Sequence, residues 1–284
     1  MSAAETPRTA LVTGATDGVG KALARRLLRD GWRVVITARS DARGAAVASE
    51  LAGDTGRDAI THLVGDLSRM GDVRSICERF AGESARLDLL MLNANAISNE
   101  RALTDDGFER NMAIGLYGRA LMARLLEPLL ECSPGAQAWS VVGLNLDRFD
   151  FEDPTMARRF ASSRALGRWQ WAMQVYARSW NASHSAPMLT FMPGLVRTKI
   201  LANEPQPMRL VVQIMNAVIG ITPERSGDEL ASAIEQARRE RIRDGYFSRA
   251  KYRTQRELDV RDDDMTRLGA HLDTALARWS SPLR

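Results

Sequence analysis

One short segment near the start of the chain limits its fold more than any other feature. An apolar run over 9–13 leads into Thr13-Gly14-Ala15-Thr16-Asp17-Gly18-Val19-Gly20, and a helical pattern follows near 19–30. Gly14 allows a tight exit from a strand, Gly18 lets backbone amides approach an anion, and Gly20 lets the helix pack against the strand. The helix dipole then faces that anion. The segment predicts a strand, turn and helix that bind the pyrophosphate of a dinucleotide, in preference to a turn that binds nothing.

Apolar runs alternate with amphipathic stretches along the chain. Strands are predicted at about 9–13, 33–38, 59–64, 87–92, 137–143, 187–192 and a short last one near 246–247, with helices near 19–30, 42–53, 71–83, 106–132 and 155–182. Continuous apolar strands separated by helices are typical of a parallel sheet covered on both faces. The sequence therefore predicts an α/β, doubly wound, Rossmann-type sheet of about seven strands.

The chain shows no internal repeat and no linker rich in proline or serine. We expect a single domain over 1–284, with a substrate lid at about 195–221 that follows the sheet's sixth strand. The apolar stretch from Met208 to Ile221 is predicted to be the mobile part of that lid, with a fixed core helix or a dimer contact as the alternatives.

Composition excludes several classes of protein. The 284 residues are 45% hydrophobic and 26% charged, which is the range of globular proteins. Two isolated cysteines and three histidines without an HExxH motif argue against a disulfide scaffold and against a metal site. The net charge is only +4, and the basic stretch over 238–256 is followed at once by acidic residues, which argues against nucleic-acid binding. The apolar run over 210–221 is too short to span a bilayer, so we expect a cytoplasmic protein.

The end of the second predicted strand indicates the cofactor. An enzyme that prefers NAD usually places an acid here to bind the ribose 2′-hydroxyl, and this chain has no acid before Asp41. Arg39 and Ser40 stand there instead, and they suit a 2′-phosphate. We therefore expect NADP(H); the alternative is a solvent-facing arginine.

With these motifs the chain resembles the short-chain dehydrogenase/reductase family over essentially its whole length. Thr13 to Gly20 matches the family's TGxxxGxG motif, and the remaining matches are Asp66-Leu67, Asn93-Ala94 and Pro193-Gly194-Leu195-Val196-Arg197-Thr198. The resemblance implies that Asp66 and Leu67 face adenine. It also implies that Asn93, Ala94, Pro193, Gly194, Val196 and Thr198 lie along the cofactor. The phrases Asp106-Gly107-Phe108-Glu109 and Leu125-Leu126-Glu127-Pro128-Leu129-Leu130 are similar to the branch of retinol dehydrogenases and protochlorophyllide reductases.

The chain departs from the family where the family does its chemistry. The usual Tyr-x-x-x-Lys is replaced by Phe160 and Arg164, the serine falls on Gly143 or Leu144, and the asparagine falls on Gly115. In the family, the tyrosine is the general acid/base, the lysine holds the nicotinamide ribose and the serine orients the substrate oxygen. Phe160 has no proton to give, whereas Arg164 keeps a charge that could still reach the ribose. The two glycines are expected to leave room in the pocket.

Few residues of the sequence could replace the family's missing catalytic side chains. Asn95 stands where the NAG motif has glycine, and it is either a contact of the ribose or substrate or a turn residue. Asn145, Asp147 and Asp150 follow the fifth predicted strand, where solvent exposure is the favoured interpretation. Trp169 and Trp171 are expected to pack in a core or a dimer seam.

Three hypotheses follow for function. The first is an atypical NADP(H)-dependent enzyme that either reduces an activated acceptor or performs a non-redox step on an apolar small molecule. The second is a catalytically inactive protein that binds NADP(H) or supports a partner. The third is an ordinary carbonyl reductase. A homodimer through the helices 106–132 and 155–182 is a further prediction.

Overall fold

The strands of the sheet lie where the apolar runs of the sequence place them. The computed structural model describes residues 6–143, 147–197, 220–254 and 260–283. The strands in these ranges are β1 (Thr9–Val12), β2 (Arg33–Ala38), β3 (Ile60–Val64), β4 (Leu89–Leu92), β5 (Gln137–Val141), β6 (Met188–Met192), β7 (Tyr246–Ser248) and β8 (Lys251–Arg253). They form one sheet in the order β3-β2-β1-β4-β5-β6-β7-β8, parallel except for β8. The predicted doubly wound sheet is confirmed, and the antiparallel edge strand β8 is an addition to it.

Helices cover both faces of this sheet. They are α1 (Gly18–Arg29), α2 (Asp41–Thr55), α3 (Met70–Glu83), α4 (Arg110–Met112), a π-helical turn (Ala113–Tyr117), α5 (Gly118–Glu131), α6 (Ser162–Ser183), α7 (Pro223–Glu240) and α8 (Asp262–Leu276). Apolar residues of α1, α2 and α7 pack on one face, while those of α3, α5, α6 and α8 pack on the other. The helix predicted over 155–182 begins only at Ser162, and the one predicted over 106–132 contains the π turn.

Burial on both faces of the sheet explains why its strands could be predicted from apolar runs in the sequence. All four residues of β1 and all four of β4 are buried. Successive side chains of β1 enter opposite layers, with Leu11 in one apolar cluster and Ala10 and Val12 in the other. A strand that is covered on both faces needs apolar residues at every position, and this gives the continuous runs.

Two carboxylates of one phrase that resembles the retinol dehydrogenase branch, Asp106-Gly107-Phe108-Glu109, have structural roles here. Asp106 accepts a hydrogen bond from the amide of Met70 (2.8 Å) at the first residue of α3. Glu109 caps α4, accepting from the amide of Met112 (3.0 Å). Both carboxylates thus satisfy backbone donors that a helix start leaves free.

The C-terminal helix α8 packs against α5 and α6, the helices through which a homodimer was predicted. It is joined to α5 by an ion pair between Arg124 and Asp273 (2.8 Å) and to α6 by one between Arg178 and Asp262 (3.5 Å). Every residue of α6 over 169–177 is buried within one chain. The face of α5 and α6 that packs against α8 is therefore buried within one chain, and the homodimer through these helices stays a prediction.

Much of the predicted lid, 198–219, lies outside the described residues, and the prediction of a single domain over 1–284 stays a prediction. The two ends of that segment are described, and they lie side by side. The amide of Arg197 donates to the carbonyl of Ile221 and the amide of Ile221 to that of Leu195, each at 3.0 Å. Within the described ranges, we find no helix that combines the length and the hydropathy needed to cross a bilayer.

Candidate cofactor site and active site

The turn between β1 and α1 has space for glycine alone. Gly14 and Gly18 have φ angles of 66° and 57°, in the left-handed region that side chains disfavour. A Cβ atom on Gly14 would lie 2.6 Å from the Cα of Ala94, and one on Gly20 would lie 2.5 Å from the carbonyl oxygen of Gly14. Backbone atoms crowd both positions, together with the Asn93 side chain, so neither position has room for a Cβ atom. The turn is therefore a bare backbone cradle at the N-terminus of α1, and this fits a pyrophosphate.

Polar side chains fix this cradle to the end of β4. The hydroxyl of Thr13 donates to the carbonyl of Met91 (3.1 Å) and accepts from the amides of Asn93 (2.9 Å) and Ala94 (3.1 Å). The Asn93 amide group donates in return to the carbonyls of Thr13 and Gly14, both at 3.1 Å. Asn93 and Thr13 thus act on the shape of the cradle, at the point where strand order reverses and where open α/β sheets bind ligands.

A local hydrogen bond also fixes the start of α1. The carboxylate of Asp17 accepts from the amide of Gly18 (2.8 Å) and caps the helix. This bond fixes where α1 begins relative to the glycine turn. Thr16 and Val19 lie in the same turn, with Val19 in the core cluster beneath it.

The end of β2 carries more positive charge than the sequence motif indicated. Arg39 and Ser40 are exposed there. Arg43, in the first turn of α2, reaches over the cradle and donates from Nη2 to the carbonyl of Thr16 (3.0 Å). Sequence reasoning missed Arg43 because only the fold brings α2 over the glycine turn; its position four residues after Arg39 was the available signal.

The acidic pair after β3 has a structural role of its own. The carboxylate of Asp66 accepts from both the amide and the hydroxyl of Ser68, at 2.9 and 2.8 Å. The amide of Asp66 donates to Asp72 in α3 (2.8 Å), and Leu67 packs against the core. This turn leads into α3 and stands beside the adenine end of the predicted cofactor position, whose contact with Asp66 and Leu67 stays a prediction.

The positions of the family's asparagine and serine are occupied by neighbouring side chains, and our expectation of free space is wrong. A Cβ atom on Gly115 would lie 2.4 Å from Cγ and Cδ2 of the Trp169 indole. One on Gly143 would lie 2.9 Å from Oε1 of Gln170. Both side chains come from α6 and are buried. Trp169 thus belongs to the core, one of the two roles predicted for it, and Leu144 and Asn145 lie outside the described residues.

Phe160 and Arg164 stand at the beginning of α6. Phe160 is half-buried and precedes Ala161, the residue that caps the helix. Arg164 lies in the first turn and donates from Nη1 to the carbonyl of Arg159 (3.2 Å). Its guanidinium therefore has a partner in the preceding loop, and its contact with a ribose stays a prediction.

The segment after β6 closes the other side of the site. Gly194 has a φ angle of 72°, again in the left-handed region, and it is exposed after Pro193. Val196 forms a parallel bridge with Ile221, which fixes the direction of the chain there. Thr198 lies outside the described residues. Pro193, Gly194 and Val196 thus form a turn at the carboxyl edge of the sheet.

A buried cation lies beneath this edge, and no local sequence pattern marks it. The guanidinium of Arg119 in α5 donates to the carbonyls of Ala94 (2.8 Å) and Val141 (2.7 Å) and to the hydroxyl of Ser140 (2.7 Å). Its Cζ lies 4.5 Å from the centre of the Trp169 ring. Arg119 therefore ties β4 to β5 where both strands end.

Comparison with known proteins agrees with this geometry. A family model described as short chain dehydrogenase matches residues 8–142. Retinol dehydrogenase 14 of Mus musculus is 32% identical over 211 residues, which is 68% of this chain and 62% of that protein. The chain belongs to the short-chain dehydrogenase/reductase family. Within the short-chain dehydrogenases, retinol dehydrogenase 12 of Mus musculus is 30% identical over 201 residues, 69% of this chain and 64% of that protein.

Polyprenol dehydrogenase of Mus musculus is 38% identical over 126 residues, 44% of this chain and 38% of that protein. The chain thus aligns with less than two thirds of the length of each of these short-chain dehydrogenases. Among solved structures, an alcohol dehydrogenase from the archaeon Thermococcus sibiricus complexed with 5-hydroxy-NADP superposes with a TM-score of 0.66 at 20% identity, covering 87% of this chain and 98% of that one. A short-chain dehydrogenase from Streptomyces avermitilis gives 0.64 at 19% identity, covering 98% and 97%. These similarities establish the fold.

Proposed function

We propose that the protein binds NADP(H) in the cradle between β1 and β4, and that it is an oxidoreductase acting without the family's tyrosine and serine. One observation carries this proposal. The residues that shape a dinucleotide site are present and tied together, whereas Trp169 and Gln170 occupy the places of the side chains that handle the substrate. The cofactor half of the family's site is kept and the proton-transfer half is replaced.

The preference for NADP(H) is supported by the charges at the end of β2. Arg39 is exposed at this end of the strand, and the Arg43 guanidinium bonds the carbonyl of Thr16 in the glycine turn. Guanidinium suits a 2′-phosphate through charge-assisted hydrogen bonds. Structural relatives agree in part, since a metagenomic short-chain oxidoreductase was solved with NADP and a Brucella melitensis reductase with NADH. The arginines of this chain favour the phosphorylated form.

The missing acid limits the acceptors that this site can reduce. NADPH held in this cradle would supply a hydride from its nicotinamide ring. Transfer to a plain ketone leaves a strongly basic alkoxide, which needs a positioned proton donor, and Phe160 has none. Transfer to a quinone leaves a weakly basic phenolate that takes its proton from water, and transfer to an iminium carbon needs no proton. The site therefore favours activated acceptors.

We infer an apolar substrate from two sources. The relatives are named for retinol and polyprenol, which are long apolar alcohols. Phe160, half-buried just before α6, also places an apolar ring where the family has a hydroxyl. A second function, binding of NADP(H) without catalysis, is favoured by the filling of the space beside Gly115 and Gly143. A non-redox step on the same ligand is the remaining alternative.

The first test is cofactor binding, measured by calorimetry with NADPH and NADH. NADPH is expected to bind more tightly, and Arg39→Ala to weaken NADPH alone by about ten-fold or more, because a charge-assisted contact is worth roughly 1.5–3 kcal/mol. Arg29→Ala is the matched control, since this exposed arginine lies at the opposite end of α1. Equal affinities for both cofactors would contradict the assignment to NADP(H).

The second test is the loss of NADPH absorbance against a panel of aldehydes, ketones, quinones and cyclic iminium ions. We expect turnover of quinones or iminium ions and rates for plain ketones that are lower by roughly a hundred- to ten-thousand-fold. Brisk reduction of plain ketones would contradict the proposal and support an ordinary carbonyl reductase. Tight binding of NADPH with no turnover of any acceptor would contradict the oxidoreductase proposal and support either binding without catalysis or a non-redox step.

A further inference from the structure

Arg119 is a buried charge without an acid to balance it. The residue is 4% exposed, and its three hydrogen-bond acceptors are two carbonyls and a hydroxyl, all neutral. Within the described residues no carboxylate forms an ion pair with it. Burial lowers the pKa of Arg119 to about 9, which still leaves the guanidinium protonated at neutral pH. A full positive charge is therefore fixed inside the protein.

The hydrogen bonds of Arg119 place this charge in the sheet. Ala94 follows the end of β4, and Val141 is the last residue of β5. Both accept from Arg119, so the guanidinium lies at the carboxyl edge between these two strands. The order β2-β1-β4-β5 then gives the direction of the cofactor. With the 2′-phosphate at the end of β2 and the pyrophosphate at β1, the nicotinamide half extends over β4 and β5.

A neutral donor would tie two strands together at lower cost than a charge. Removing a charge from water is costly, and the neutral acceptors and the Trp169 ring offset only part of that cost. The charge itself acts on any ligand above it, because electrostatic interactions are weakly screened in a buried site. The nicotinamide ring carries a positive charge when oxidised and none when reduced. Arg119 therefore repels the oxidised ring and does not repel the reduced one.

On the basis of the proposed function, we propose that Arg119 is a specificity-determining residue that makes the site bind NADPH more tightly than NADP⁺. The repulsion between the guanidinium and the oxidised ring raises the free energy of the NADP⁺ complex alone. By linkage, the same repulsion raises the free energy of the complex that forms when hydride leaves the cofactor, so Arg119 keeps the site loaded with NADPH and lowers the on-site driving force for hydride transfer. The remaining contacts, to ribose and phosphates, are common to both forms.

The test is the ratio of the dissociation constants of NADP⁺ and NADPH, measured by calorimetry on the full chain. Wild-type protein is expected to bind NADPH about ten-fold more tightly, which corresponds to about 1.4 kcal/mol. Arg119→Met removes the charge at similar length, and the ratio should fall toward one. Arg119→Lys keeps the charge and should keep most of the ratio. Arg124→Met, five residues along the same helix and paired outward with Asp273, is the matched control and should leave it unchanged.

The results distinguish the proposed role of Arg119 from a purely structural one and from the absence of a cofactor site. A merely structural role of Arg119 would weaken both cofactor forms alike and leave the ratio as it was. If Arg119→Met does not fold, the wild-type ratio still decides, because equal or tighter binding of NADP⁺ overturns the inference. Absence of binding of either form would refute the proposed cofactor site itself, whereas binding of both without a ratio refutes only the role of Arg119.

Discussion

Adding a single methyl group at Gly115 tests whether the site is filled as described. The Cβ of alanine would lie 2.4 Å from Cγ and Cδ2 of Trp169, where ordinary contacts begin near 3.4 Å. The ring is 1% exposed and carries the Arg119 guanidinium on its face, so it cannot move aside freely. Overpacking of this kind costs up to about 3 kcal/mol, and the better helix propensity of alanine returns about 1 kcal/mol. We expect Gly115→Ala to lower the free energy of unfolding by about 2 kcal/mol.

The assay is urea unfolding followed by circular dichroism, with Gly53→Ala as the matched control. Gly53 lies inside α2, and a Cβ there would meet nothing within 4 Å. This variant should be stabilised by roughly 1 kcal/mol. The clash should also vanish when the ring is removed, so adding Gly115→Ala to Trp169→Leu should cost little. Equal stability of the two alanine variants would refute the placement of Trp169.

Two further predictions concern the cradle and the C-terminal helix. Gly20→Ala, whose Cβ would lie 2.5 Å from the carbonyl of Gly14, should abolish cofactor binding in calorimetry, whereas Gly269→Ala, with nothing within 4 Å, should leave binding intact. His271 in α8 is bonded through Nε2 to the hydroxyl of Tyr117 (2.8 Å), and burial lowers its pKa. The unfolded chain then binds the proton more readily, so the free energy of unfolding should decrease as pH falls below about 6.5. In unfolding curves, His271→Gln should make the free energy of unfolding depend less on pH between about pH 7 and pH 5. An unchanged pH dependence in this variant would refute the role of His271.

The sheet could be predicted because its signal is local. Each strand of a two-sided parallel sheet is an apolar run, and the glycine turn fixes the first crossover. The edge strand β8 carries Lys251 and Arg253 and is exposed throughout, so no apolar run marks it. The late start of α6 at Ser162 also escaped the pattern, because the residues before it continue the same mixture of polar and apolar types.

The interior of the site could not be predicted, because its contacts are between residues distant in sequence. The sequence showed glycine at Gly115 and Gly143 and so indicated empty space, but α6 brings Trp169 and Gln170 into that space. Arg119 looked like one arginine among many, since nothing in its local sequence marks a residue that will be buried. The packing of α8 on α5 and α6 likewise depends on contacts between residues distant in sequence, and no local pattern indicated it.

The arrangement of the bound cofactor tests the central claim most directly. A crystal structure of the protein with NADP⁺ should show the pyrophosphate on the turn from Gly14 to Gly20 and the nicotinamide over the ends of β4 and β5. The Trp169 ring should remain against Gly115, the Gln170 amide against Gly143, and Phe160 should stand where a proton donor would be needed. A tyrosine or serine hydroxyl within hydrogen-bond distance of the substrate position, or an open pocket beside Gly115, would contradict the account.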